Sequence, residues 1–158
     1  MTKEINLGKR LGAIAKLTTQ SSPYSHIWDC CCDHGYLGVY FLVHFSQQKT
    51  PVTQIHFVDQ LAHITAPLEH KLEQSYFSNY QVHTLNAEQI RFDQSNHCII
   101  ISGVTTTGTL QILQTILKNH PNQQLDFILC PTRGQYELRQ YLIEHSFYLV
   151  NEKYIQEN

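Results

Sequence analysis

Asp29-Cys30-Cys31-Cys32-Asp33-His34-Gly35-Tyr36-Leu37-Gly38 carries the chain from a strand into a helix through an acidic, glycine-bearing turn. Just before it, Ile27 to Cys31 reads as a short buried strand, and Tyr36 to Phe45 continues as an apolar segment of helical length. A strand passing directly into a helix is the opening unit of an α/β fold, and such folds bind ligands where a strand ends and its helix begins.

The alternation extends in both directions. Leu7, Leu11, Ile14 and Ala15 recur at helical spacing and predict a leading helix over residues 7–17, before a polar break from Thr18 to Pro23. Gln54 to Val58 is a second strand. Pro67 fits the first turn of a helix running to Tyr76, where its missing N–H is harmless. Gln81 to Leu85 is a third strand, and His97 to Ile101, the densest β-branched run, has the composition of a central parallel strand covered on both faces. A helix about Leu110 to Lys118, a strand Leu125 to Cys130, a helix Tyr136 to His145 and a last strand Phe147 to Tyr154 complete the series. Helical crossovers of this length imply a mainly parallel sheet with helices on both faces. No repeat or linker divides the chain, so residues 1–158 are expected to form one Rossmann-like α/β domain.

Composition narrows the possibilities. The chain has 158 residues, is 42% hydrophobic and has a net charge of −2. No apolar run approaches the ~20 residues of a membrane span and no leader pattern is visible, so a cytoplasmic protein without membrane attachment is expected. Lys3, Lys9, Arg10 and Lys16 against Glu4 leave a local charge of +3 in the first sixteen residues. Two readings follow: a local RNA contact through Lys9, Arg10 and Lys16, or a solvated helix face. DNA is not indicated. The five cysteines include three in succession, which argues against a disulfide framework and for reduced thiols. Ligand-type residues crowd together from Cys30 to His34, yet adjacent strand residues point to opposite faces, so small buried side chains are preferred to a metal site and none is expected.

The chemistry is sought in the loops after the strands. The turn after the first strand is not G-x-G-x-x-G, and Asp29 and Asp33 place negative charge where a dinucleotide would need its pyrophosphate cradled. A nicotinamide cofactor is disfavoured accordingly. An ammonium group suits this turn, and S-adenosylmethionine carries one at its methionine end, which Asp29 or Asp33 can receive directly or through water. Either Asp also suits a helix cap or a turn. Asp59 lies 24 residues beyond Gly35, near the offset at which a carboxylate meets ribose hydroxyls, with a solvated strand end as the alternative. Gln60 follows it, and Asn86 and Ala87 after the third strand can flank an adenine.

Several of these segments also resemble one family. Leu7-Gly8-Lys9-Arg10-Leu11 is similar to the leading-helix motif of the bacterial tRNA (adenine-22-N1)-methyltransferases. Asp29 to Leu37 resembles that family's Asp-x-Gly-Ser-Asp-His-Ala-Tyr-Leu loop. Further along, Pro67-Leu68 resembles its Gly-Pro helix start, Ile101-Ser102-Gly103 its Ile-Ala-Gly, and Pro131 through Leu142, with Tyr136-Glu137-Leu138-Arg139, its Gln-Pro-Asn and Glu-Leu-Arg segment. The resemblance implies a class I methyltransferase sheet, S-adenosylmethionine as cofactor, and methylation of adenine N1 in tRNA. It implies cofactor contacts from Asp29, Cys31, Asp33, His34, Gly35, Asp59, Gln60, Asn86, Ala87, Ser102 and Gly103. No catalytic residue is assigned; Asp33 and His34 are the candidates nearest the expected methyl group.

The chain departs from the family in three places. Cys31 stands at the first loop glycine, where a Cβ can crowd the cofactor. Val104-Thr105-Thr106-Thr107-Gly108 replaces a Met-Gly-Gly stretch. One strand is expected after the last helix, where the family continues into a seventh strand and a helical extension. These departures give a second expectation, a weakened or inactive homologue serving as a binding or interaction module.

Overall fold

A computed structural model of the chain describes residues 5–21, 23–47 and 52–156. Along them run α1 (Lys9–Gln20), β1 (His26–Cys30), α2 (Tyr36–Ser46), β2 (Gln54–Asp59), α3 (Ala62–Glu73) and β3 (Tyr80–Thr84). After a 3-10 turn at Ala87–Gln89 come β4 (His97–Ser102), α4 (Thr106–Asn119), β5 (Asp126–Cys130) and α5 (Gln135–Glu144). Every strand pairing is parallel, and the sheet order is β3-β2-β1-β4-β5. The chain winds outward from β1 to β3, then returns to β4 on the other side of β1. That reversal opens a crevice at the C-terminal ends of β1 and β4.

Alternation along the strands divides the sheet's side chains between two cores. On one face Ile27, Ile55, Phe57 and Ile100 pack beneath Ile14 of α1, Phe41 and Leu42 of α2, and Leu68 of α3. On the other, Trp28, Val58, Ile99 and Ile101 meet Ile112 and Ile116 of α4. All of β4 is buried, as its β-branched run requires. The connection from β3 to β4 holds no helix beyond the turn at Ala87–Gln89, so Ala87, Ile90 and Phe92 cover the second face there. Gly38 lets α2 settle directly on β2: a Cβ at that position would lie 2.7 Å from Cζ of Phe57.

Two expectations need correction. Pro67 lies inside α3, which begins at Ala62 rather than at the proline. The helix is started from outside: Asp59 Oδ1 accepts the Leu61 N–H at 3.0 Å, and buried Thr65 pairs its hydroxyl with that of Thr84 at 2.6 Å. The proline removes the N–H that the His63 carbonyl would otherwise accept, and His63 is an exposed residue. Residues 147–154, expected as a strand, form none. Ser146 turns the chain with φ +57°, and the Tyr148 and Tyr154 side chains stand 88% exposed. Alternation without a neighbouring strand to pair with does not make a strand.

Candidate functional site

The turn after β1 folds through three left-handed residues, Cys31 (φ +61°), Asp33 (φ +48°) and Gly35 (φ +71°). Glycine is at home there; Asp tolerates the region, and Cys is strained by about 1–2 kcal/mol. The turn is pinned to β2, since the N–H groups of Cys31 and Cys32 both donate to the Val58 carbonyl, at 2.8 and 3.2 Å. Gly35 is required twice over, because besides its φ a Cβ would lie 2.8 Å from both terminal carbons of Leu68. Asp33 and His34 are exposed at the rim, with His34 Nε2 3.7 Å from Asp33 Oδ1.

Asp29 faces the other way. Only 4% exposed, it accepts the N–H of Gly38 at 3.1 Å and so satisfies a first-turn amide of α2 that has no partner within the helix. Burial raises its pKa to about 7, against the opposing pull of that N–H. The carboxyl is therefore poised to change charge near neutrality. Burial, with Asp59, Asp29 and Glu88 nearby, pushes the Cys31 thiol up to about 11, and burial lifts Cys30 and Cys32 as well. The three cysteines stay protonated at neutral pH, which makes them packing groups rather than nucleophiles.

Neighbouring loops complete this end of the sheet. Asp59 closes β2, and its carbonyl accepts the Leu85 N–H at 3.0 Å, joining the ends of β2 and β3. Gln60 is exposed beside it. Asn86 is exposed with its N–H bonded to Gln89 Oε1 at 3.0 Å, while Ala87 is buried. Ser102 ends β4 and is buried, and Gly103 follows with φ +82°. Arg10 reaches this point from α1, donating from Nη1 to Ser102 Oγ at 3.0 Å. Lys9 and Lys16 are exposed on the same helix, whereas Lys3 lies outside the described residues. Two of the three threonines are structural: Thr105 caps α4 by accepting the Gly108 N–H, and Thr106 hydrogen-bonds the carbonyls of Arg133 and Gly134, while Thr107 is exposed. Asp29, Asp33 and Asp59 thus belong to adjoining strand ends, with Ser102 and Gly103 across the crevice and Arg10 above them. The acidic rim of Asp33 and Asp59, with Asp29 buried behind it, suits an amine and vicinal hydroxyls better than a pyrophosphate.

Sequence reading missed a second concentration of polar groups. Histidines that look scattered along the chain meet on one face of the sheet, where His26, His56, His83 and His97 line a cavity of about 500 Å³. Their only sequence signal is position within strands, since the approach depends on strand order and register. Among the described residues no group of three or more His, Cys, Asp or Glu has the geometry to hold a metal ion, and no helix is long and apolar enough to cross a membrane.

The fold has known counterparts. TrmK of M. capricolum, solved with S-adenosyl-homocysteine, superposes with a TM-score of 0.76 at 20% identity, over 96% of this chain and 64% of that one. An uncharacterized protein from Listeria monocytogenes serotype 4b gives a TM-score of 0.79 at 18% identity, over 97% and 64% of the two chains. An rRNA methylase from Streptococcus thermophilus gives 0.52 at 13% identity, over 90% of this chain and 81% of its own. The chain thus spans about 64% of the length of the first two structures. No protein of curated function matches it. Residues 7–158 match the family described as "Methyltransferase domain", and with the parallel sheet and its reversal beside β1 this makes the chain a member of that methyltransferase family.

Proposed function

We propose that the chain is an S-adenosylmethionine-dependent RNA methyltransferase of the cytoplasm, acting at N1 of an adenosine in tRNA. The observation that carries the reading is the left-handed turn at Cys31, Asp33 and Gly35, set at the switch point beside Asp59. The residues present fit the cofactor. Asp29 and Asp33 lie where its amine would be received, and Asp59 keeps Oδ2 for a ribose hydroxyl while Oδ1 holds Leu61. Asn86 and Ala87 flank the place of the adenine, and Ser102 and Gly103 border the acceptor side. When bound, the cofactor supplies a methyl group on a positively charged sulfur. The chain's part is mainly alignment, holding nucleophile and methyl in line. Positive charge passes to the methylated base, so the exposed carboxylate of Asp33 and the partly buried one of Asp59 favour the product side electrostatically. Lys9 and Lys16, with Arg10 anchored at Ser102, offer the backbone of a bound RNA a basic edge.

Strain at Cys31 favours one alternative, a homologue that keeps the fold as a binding module. Two measurements separate the readings. Calorimetry with S-adenosylmethionine should give saturable binding, and tritiated methyl should appear in tRNA as N1-methyladenosine. Binding without incorporation would leave the module; no binding at millimolar cofactor would remove the enzymatic reading altogether.

A further inference from the structure

On the face of the sheet away from α2 and α3, His83 of β3, His56 of β2 and His26 of β1 form a hydrogen-bonded row. His56 Nδ1 lies 3.0 Å from His83 Nε2, and His56 Nε2 lies 2.9 Å from His26 Nδ1. Beyond the row, His26 Nε2 faces Asp93 Oδ2 at 3.6 Å, an ion-pair distance rather than a hydrogen bond. His97 of β4 stacks on His26 and is held separately: it accepts the indole N–H of Trp28 on Nδ1 at 3.0 Å and meets Asp93 Oδ1 through Nε2 at 3.1 Å.

These contacts define the protons. Trp28 can only donate, so neutral His97 carries its hydrogen on Nε2, towards Asp93. The Asp93 carboxylate repels a lone pair and attracts an N–H, which places the His26 hydrogen on Nε2. His26 Nδ1 must then accept from His56 Nε2–H, and His56 Nδ1 must accept from His83 Nε2–H. The row therefore has one direction, from half-buried His83 to Asp93, with His83 Nδ1 left at its outer end.

We propose that this row is a proton-uptake switch that takes one proton at His83 and settles the charge on His26, beside Asp93, by reversing its own hydrogen bonds. A proton arriving at His83 Nδ1 releases the Nε2 proton of His83 to His56 Nδ1, and His56 passes its Nε2 proton to His26 Nδ1. Each nitrogen that gives up a proton becomes an acceptor, so both hydrogen bonds survive in the opposite sense. His83 and His56 remain neutral as Nδ1–H tautomers; His26 becomes an imidazolium paired with Asp93. A second proton would set two N–H groups against each other across about 3 Å and break the row. The groups facing His56 are His26, His83, His97 and Asp93, with Arg91 lining the same cavity. Burial and the neighbouring imidazoles hold His56 down at about 3, in keeping with a member that relays charge without retaining it. Asp93 belongs to the connection between β3 and β4, so the charge settled on His26 tightens the ion pair that ties that segment to β1.

Histidine ring ¹⁵N spectra of the full chain from pH 8 to pH 5 test this directly. At pH 8 all four rings should be Nε2–H tautomers. On acidification the Nδ1 and Nε2 shifts of His83 and His56 should exchange as His26 becomes doubly protonated, all at one midpoint, while His97 stays unchanged. Asp93→Asn, at an exposed position that can still accept from Ser95 and His97, should lower that midpoint by about one pH unit. Separate midpoints for His26, His56 and His83, an Nδ1–H His56 at pH 8, or an unmoved midpoint in the variant would each overturn the proposal.

Discussion

Replacing Asp29 with Asn should stabilise the protein at high pH and weaken its ligand. The buried carboxyl has a folded pKa of about 7 against an ordinary 3.8, because burial penalises its charge more than the Gly38 N–H compensates. For an acid raised in the fold, the folded state holds the extra proton. Its contribution is fully present below about pH 3.8 and is lost as pH rises to about 7. The difference amounts to about 4 kcal/mol, more than half of which falls between pH 5 and pH 8. Asn offers the same oxygen to Gly38 and never ionises. Urea unfolding of both proteins at pH 5 and pH 8 should therefore show the variant's advantage growing by about 2–3 kcal/mol. Titration of His56, which lowers stability in acid, occurs in both proteins and cancels in the comparison. Calorimetry at pH 8 should show weaker S-adenosylmethionine binding by the variant, since an amine has lost its charged partner. A stability difference that does not change with pH would refute the burial argument, and unchanged affinity would remove Asp29 from the amine's site.

Gly38→Ala should lower stability by about 1–3 kcal/mol in urea unfolding, because the new methyl meets the Phe57 ring and α2 must lift from β2. Cys31→Gly should raise stability by up to about 1 kcal/mol, since it relieves a left-handed non-glycine residue, and should tighten cofactor binding measured by calorimetry. Equal or weaker binding would show that the Cβ of Cys31 does not crowd the ligand.

What could be read from the sequence follows the range of the interactions involved. The β-branched run at His97 to Ile101 and the apolar helix from Tyr36 declare themselves through neighbours a few residues away, and both elements stand where expected. The turn between Asp29 and Gly38 was legible because its geometry is local, although its left-handed backbone at Cys31 and Asp33 was not. Pro67 misled because proline favours a first turn, while the Thr65 to Thr84 contact that fixes the real start comes from β3. Residues 147–154 misled for a related reason, since their alternation describes a strand's side chains and says nothing of a partner.

The histidines show where local reading ends. Positions 26, 56, 83 and 97 have no common spacing, and each alone looks like an ordinary polar residue at a strand. They meet only because β1 lies between β2 and β4, with Trp28 opposite His56 and His26 opposite His97. A register shift of one residue on any of these strands would turn its histidine to the opposite face and break the row. The winding that opens the crevice at the C-terminal strand ends also aligns imidazoles across neighbouring strands of the same sheet. One topology thus carries both the acidic rim of the proposed cofactor site and the histidine row, so tests of one leave the other standing.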